Sequence, residues 1–392
     1  MSHLDKQIIL KNKEEGRILS GHPWVFSNEI RETKGSPLIG DIVELLSAGG
    51  KTLGVGFYNP HSLISVRLLS TAFEEIDADF FRKRLQQALG LRRKLYPSSN
   101  TFRLVFSESD FLPGLIVDKF NEFLSIQTFS FGMDARLQSI CDILESLLQP
   151  KGIIERNESP LRELEKLPQR KGILRGEAGC TTIEDGGLRF SIDVLEGQKT
   201  AFFLDQRENR LAIRRFAPNS EVLDCFCNDG GFALHAAHAG AKSVLGIDVS
   251  ADAVKRATAN ATLNQLTHVT FEQEDVFDSL KRLHAEGKTF DVVVLDPPSF
   301  TKSKKNVQSA KQGYRELHAG VYRIIREGGI LLTASCSHHI ESGVFLDIVD
   351  SMATKAGRRI QLLDWRGAAP DHPVLPAMPE TRYLKFAVVR VL

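Results

Sequence analysis

Long apolar runs are missing from this sequence. The longest, such as Val292–Leu295 and Ile330–Leu332, fall far short of the roughly 18–20 residues a membrane span needs. The N-terminal stretch MSHLDKQIILKNKEEGRILSG lacks the apolar core and small-residue cleavage site of a secretory signal. The expectation is a soluble, cytoplasmic protein with no membrane partner. Cysteine is scarce. The five residues Cys141, Cys180, Cys225, Cys227 and Cys336 are few and odd in number for 392 positions, which argues for a reducing compartment rather than a disulfide framework. No CxxC pair occurs. Cys225 and Cys227 form a CxC at the end of an apolar strand, without evident co-ligands, so no metal is expected. An excess of charge is also absent: 50 cationic against 49 acidic residues give a net charge of +1. That excludes a basic coat binding nucleic acid everywhere, but not a local basic site, because affinity follows where charge is placed. With 42% hydrophobic and 25% charged residues, the composition is that of an ordinary globular chain.

Three blocks follow from pattern, with no marked linker between them. Residues 1–72 hold short β-like runs, Asp41–Leu46, Thr52–Tyr58 and Ile64–Leu69, broken by Gly49, Gly50, Asn59 and Pro60. That spacing suggests a small barrel. Residues 73–185 open with a helical segment, Ala78–Tyr96. Strands Phe102–Ser107, Leu115–Asp118 and Phe123–Phe129 and a helix around Met133–Leu148 come next. Residues 186–392 alternate strand and helix, and Phe290–Leu295 reads as a strand buried on both faces. The alternation predicts a parallel sheet with helices on both sides. Ligands of such sheets bind beyond the C-terminal strand ends.

Chemistry-bearing residues fall at those ends. The first strand runs into Asp224-Cys225-Phe226-Cys227-Asn228-Asp229-Gly230-Gly231. Gly230 and Gly231 allow a tight turn into a helix. A dinucleotide fold would place glycines where Phe226 and Asn228 stand, and Asp229 would repel phosphate. A nucleoside without phosphates fits better, and S-adenosylmethionine is one. The next strand ends in Asp248, spaced to accept hydrogen bonds from ribose hydroxyls. The Phe290–Leu295 strand ends in Asp296-Pro297-Pro298-Ser299-Phe300. Two prolines make a rigid platform there, a carboxylate can bond a base edge, and an aromatic can stack on a base. The run Thr301–Arg315 then carries five cations (Lys302, Lys304, Lys305, Lys311 and Arg315) and no acid. Beside a base platform it suits phosphate contacts. One strand further, Thr333-Ala334-Ser335-Cys336-Ser337-His338-His339 places a thiol where a nucleophile would be useful.

These residues carry a family resemblance. KTAFFLDQRENR (199–210), DPPSFTKSKK with the later GYREL, TASCSHHI, and PDHPVLPAMPETRYLKFAVVRV resemble class I S-adenosylmethionine-dependent ribosomal RNA methyltransferases of the RlmI type, which form 5-methylcytosine in large-subunit rRNA. HPWVFSNEI (22–30) resembles the start of that family's N-terminal PUA domain, and LPGLIVDKFNEFLSIQ (112–127) its central α+β domain. The resemblance implies an α/β chain: a Rossmann-like class I methyltransferase domain (186–392) preceded by a small β-barrel PUA domain (1–72) and a central α+β domain (73–185). One departure is in the cofactor loop, where Asn228-Asp229 replace the family's aromatic-Thr before Gly230-Gly231.

By that resemblance the cofactor is S-adenosylmethionine. It is flanked by Phe203, Gln206 and Arg207, with Asp224, Phe226, Asn228, Gly230 and Gly231 around it. Asp248 and Val249 serve its ribose, Asp275 and Val276 its adenine, and Asp296 its reacting end. Cys336 is the implied nucleophile and Asp296 the holder of the cytosine edge. Lys302, Lys304, Lys305 and Phe300 are the implied RNA contacts. The family's second cysteine position holds Ser299, so a single-cysteine scheme is implied and the base that takes the carbon-5 proton stays open. His338, His339 or the RNA-bound state are the candidates to activate the thiol. The partner is ribosomal RNA, and a homodimer is the assembly considered. Two rivals stand beside this reading: methylation of another rRNA position or an exocyclic amine, and a non-catalytic RNA-binding assembly factor.

Overall fold

The computed structural model describes residues 4–197, 200–300 and 306–392. Packing divides the chain into two units. One comprises Met1–Ile183, Ile192–Leu204 and Pro370–Thr381; the other comprises Glu184–Ser191, Asp205–Ala369 and Arg382–Leu392.

The first unit holds two sheets. Trp24–Phe26, Ile64–Ser70, Thr52–Tyr58, Ile42–Leu46, Gln7–Leu10 and Ile30–Lys34 lie side by side in that order. They enclose a core built from Ile8, Leu10, Val25, Val43, Leu45, Val55 and Val66. Arg170–Gly176, Gly152–Asn157, Phe123–Thr128, Leu115–Phe120 and Thr101–Phe106 form the second sheet. Helices Ala78–Leu95 and Leu137–Leu148 contribute Phe81, Leu85, Ile140 and Leu144 to its core. The short strands Gln7–Leu10, Trp24–Phe26 and Ile30–Lys34 carry too little alternation to be read from sequence. Pro370–Thr381 belongs to this unit although its neighbours in sequence do not. The fully buried Arg92 explains why: it donates to both carboxyl oxygens of Asp110 (2.5 and 2.7 Å) and to the carbonyl of Asp371 (2.7 Å).

Elements of the second unit are numbered here in chain order. The strands are β1 (Glu221–Cys225), β2 (Ser243–Asp248), β3 (Val269–Gln273), β4 (Phe290–Leu295), β5 (Ile325–Ser335), β6 (Ile360–Arg366) and β7 (Lys385–Val391). The helices are α1 (Arg207–Ile213), α2 (Gly231–His238), α3 (Ala251–Leu263), α4 (Val276–Ala285), α5 (Val307–Ile324) and α6 (Ser342–Lys355). The sheet order is 3-2-1-4-5-7-6. Strand β4 shows why helices cover both faces: Val293 and Leu295 point into a core with Tyr314, Leu317 and Phe345, while Val292 and Val294 join Phe232, Ala233 and Ala236 on the other side.

Three differences from the sequence reading stand out. β7 is antiparallel to both its neighbours, because the chain between β6 and β7 makes no helical crossover on the sheet. α4 has no counterpart in the reading. α5 starts at Val307 rather than Gly313. The switch point of the topology lies between β1 and β4, where a parallel α/β sheet opens its ligand crevice.

Candidate active site

The turn after β1 needs positive φ at Phe226 (64°), Asn228 (46°) and Gly230 (82°). Only the last is glycine. A side chain at Gly230 would be strained by φ alone, and its Cβ would lie 3.1 Å from Phe271 and 3.3 Å from Ala257. Asn tolerates this backbone, and the loop is locked by side chains. Asp248 accepts from the backbone N–H of Asn228 (3.0 Å) and of Ser250 (2.9 Å), so it holds the mouths of β1 and β2 together. Val249 beside it is 63% exposed. The expected repulsion of phosphate by Asp229 is offset. Its carboxylate is buried and paired with Arg256 of α3 at 2.5 Å, so its charge is compensated within the protein. What disfavours a pyrophosphate is the bulk of Phe226 and Asn228.

Asp224 is fully buried at the end of β1. One oxygen accepts from the N–H of Ala233 (2.9 Å); the other has no partner among the described residues. Burial, reinforced by the charges of Asp296 and Asp248, pushes its carboxyl up to about 8. An orphaned buried acceptor in an acidic crevice suits a positively charged ligand group, such as the amine or sulfonium of S-adenosylmethionine. Asp275 caps α4 by accepting from the N–H of Phe277 (2.8 Å), and Val276 sends its side chain into the core.

β4 and β5 pair in parallel with Leu295 opposite Thr333. Asp296 and Cys336 therefore emerge at the same edge of the crevice. Gln206 donates from Nε2 to Asp296 Oδ2 at 3.0 Å and is itself fixed by Asn209 at 2.7 Å. Around Cys336 lies a cluster of hydroxyls. Tyr314 of α5 donates to Ser335 at 2.9 Å and lies 3.2 Å from Ser337, whose Oγ is 3.3 Å from that of Ser299. Burial pushes the Tyr314 phenol up to about 12, against its hydrogen bonds with Ser335 and Ser337 and with the charges of Cys336 and Asp296 adding to it. Burial likewise raises the thiols of Cys225 and Cys227 far above their ordinary value, which leaves both protonated and inert; Cys336 is only half-buried.

Three of the expected contacts, Arg207, Gly231 and Phe300, are engaged within the protein. Arg207 is buried on Asp185 (3.1 Å), which also takes Arg210 (2.6 Å) and His235 (3.5 Å). Burial opposes the charge on Asp185, but Arg210, His235 and Arg207 together hold its carboxyl well below the usual range. Arg207 thus braces α1, which begins right after Gln206. Gly231 belongs to the same packing, since a Cβ there would come 2.8 Å from Arg210. Phe300 packs edge-on against Tyr314 (centroids 4.9 Å apart) and near Phe277 (6.4 Å), so its ring anchors the loop to α5 rather than standing out for a base. Phe203 lies in the Ile192–Leu204 segment of the first unit. Lys302, Lys304 and Lys305 lie outside the described residues. The residues that sequence reasoning missed are Tyr314, Ser337, Arg256 and Lys385. Of these only Lys385 left a trace, as a lone charge at the head of the apolar run KFAVV.

Comparison with known proteins gives the family. Residues 171–375 match the S-adenosylmethionine-dependent methyltransferase family and residues 8–71 the PUA-like domain family. The protein is therefore an S-adenosylmethionine-dependent methyltransferase of class I fold with a PUA-like domain at its N-terminal side. The solved structure of SMU.776, a methyltransferase complexed with SAH, superposes with a TM-score of 0.86 over 98% of this chain and 99% of that one, at 20% identity. Ribosomal RNA large subunit methyltransferase I of Tolumonas auensis is 38% identical, covering 98% of this chain and 99% of that protein. The protein of the same name from Shewanella denitrificans is 40% identical over the same shares. The chain belongs to the ribosomal RNA large subunit methyltransferase I family.

Proposed function

We propose that the protein methylates carbon 5 of a cytosine in large-subunit ribosomal RNA through a transient bond between Cys336 and carbon 6. The observation that carries this reading is the emergence of Asp296 and Cys336 from neighbouring parallel strands at one crevice edge. S-adenosylmethionine supplies an electrophilic methyl group. Carbon 5 of cytosine is too weak a nucleophile to take it unaided. Addition of the Cys336 thiolate to carbon 6 saturates that carbon and turns carbons 4 and 5 into an enamine-like nucleophile whose electron density lies on carbon 5. Asp296, aimed by Gln206, holds the N3 edge of the base. After methylation, loss of the carbon-5 proton and expulsion of the thiolate restore the ring.

In the same reading Asp224, Asp248 and the Phe226–Gly231 turn hold the cofactor, and residues 186–392 form the catalytic domain. Lys302, Lys304 and Lys305 contact phosphates near the target. Residues 1–72 add a second RNA contact, and residues 73–185 connect the two. Among the described residues no helix is long and apolar enough to cross a membrane, and an rRNA substrate implies the cytoplasm. Self-association as a homodimer has an available surface in the edge strand β6, which exposes Leu362, Leu363 and Trp365.

Cys336→Ala is expected to abolish methyl transfer while cofactor affinity stays close to wild type. RNA carrying 5-fluorocytosine at the target should form a stable complex through Cys336, because fluorine cannot leave as the proton does. Full activity of Cys336→Ala would instead mean attack by an exocyclic amine, which needs no thiol.

A further inference from the structure

Lys385 opens β7, and its environment is unusual for a lysine. Only 4% of its surface is exposed. Burying an ammonium costs several kcal/mol unless an anion and hydrogen bonds offset the loss of water. Its Nζ donates to the carbonyl of Ser337 at 2.7 Å. Its register partner on β5 is Ser335. Cys336 lies between those two anchor points, close enough for a thiolate to act on the ammonium. Among the described residues no carboxylate pairs with Lys385. Burial lowers its pKa to about 8, and the Cys336 charge pulls the other way.

Other titratable groups lie around the pair. Tyr314 from α5 is neutral, with its phenol at about 12. Asp296, at the end of β4, is a carboxyl group and offers no positive charge. His338 lies against the ring of Tyr383 (centroids 5.9 Å apart), and Tyr383 donates to Asp205 at 2.5 Å. A cation beside Cys336 favours its thiolate, and an anion favours the buried ammonium of Lys385.

We propose that Lys385 is a positioning residue that holds Cys336 as a thiolate, its ammonium locked in place by the Ser337 carbonyl. The inference rests on the reading of Cys336 as the nucleophile. The neutral amine of Lys385 takes the thiol proton: the S–H bond breaks, an N–H bond forms, and a thiolate–ammonium pair results. The sulfur electron pair then attacks carbon 6 of the cytosine. When the adduct collapses, the carbon-5 proton leaves to solvent and the thiolate is expelled, so the pair is restored for the next turnover.

The test measures the ionisation of Cys336 in the full-length protein. Thiolate absorbance of the wild type minus that of Cys336→Ala, followed against pH, should give a midpoint below about 8, under the ordinary thiol value. The rate of alkylation of Cys336 by iodoacetamide, read by mass spectrometry of its peptide, should follow the same curve. Lys385→Met should move the midpoint up by about one pH unit or more, the size expected for losing an adjacent opposite charge. Lys385→Arg should keep it low. The pH profile of methyl transfer should shift with the alkylation curve.

A wild-type midpoint at the ordinary thiol value overturns the proposal even if Lys385→Met does not fold. An unchanged midpoint in a folded Lys385→Met also overturns it. The trapping experiment separates this from the nucleophile reading. A low, lysine-dependent midpoint without a trapped complex keeps the ion pair and removes Cys336 as nucleophile. A trapped complex with an unshifted midpoint does the reverse.

Discussion

Asp224 carries the strongest residue-level consequence for binding. Its carboxyl, raised to about 8 by burial and by the neighbouring Asp296 and Asp248, is mostly protonated at neutral pH. A cationic cofactor beside it favours the carboxylate, so binding should expel a proton below pH 8. Affinity should then rise with pH towards 8, by at most about tenfold per unit. Calorimetry in buffers of different ionisation heat reads the proton directly. Asp224→Asn should weaken binding and remove both the proton release and the pH dependence. Release that persists in the variant would assign the proton to another group. Asp224 and Asp296 could be picked out in the sequence from their places at apolar strand ends. Their difference in environment could not: Asp224 has no solvent and one backbone donor, whereas Asp296 has Gln206.

At the scale of the element, α5 joins the hydroxyl cluster around Cys336 to the sheet. Its buried positions Ala310, Tyr314, Leu317, His318 and Val321 recur at helical spacing. The cationic residues interleaved at Lys311 and Arg315 hid the first turn of that pattern from the sequence reading. α4 was missed for a related reason. Only Val276, Ser279, Leu280 and Leu283 of its ten residues are buried, a stripe too thin to stand out among charges. His318 sits fully buried in α5, with Nδ1 2.6 Å from the carbonyl of Tyr314 and Nε2 3.0 Å from Thr333 Oγ1. Burial lowers its pKa to about 4, against the Tyr314 carbonyl. A histidine kept neutral in the fold lets the unfolded chain take up protons first as pH falls below about 6.5. Stability is therefore lost between about 6.5 and 4, with roughly 2 kcal/mol gone by pH 5. Urea unfolding of the wild type and His318→Asn at pH 7.5 and pH 5 should show the variant losing about 2 kcal/mol less over that interval. Equal losses would mean that other groups, His235 foremost, carry the acid sensitivity.

For the whole molecule, charge placement matters more than its sum of +1. If Lys302, Lys304 and Lys305 touch phosphates, replacing all three by alanine should flatten the slope of log affinity against log salt by about 2–3 units. Filter binding of rRNA fragments at several ionic strengths reads this. A wild-type slope in the triple variant would make that loop a solvated surface. Much of the architecture was legible locally, since Ser243–Asp248 and Phe290–Leu295 are apolar runs of strand length and Ser250 does cap α3, accepting from Ala253. The chain order of those elements also determined the sheet class and put Asp224, Asp248, Asp296 and Cys336 at strand ends, because side-chain period and turn residues are properties of neighbours in sequence. Which of those groups act together was decided by tertiary structure alone. Asp185 claims Arg207, Asp229 claims Arg256, and the reversed β7 brings Lys385 to Ser337 and Cys336 across 48 residues of chain. Hydrogen-bond partners and desolvation depend on what packs from distant segments, and no local pattern encodes them.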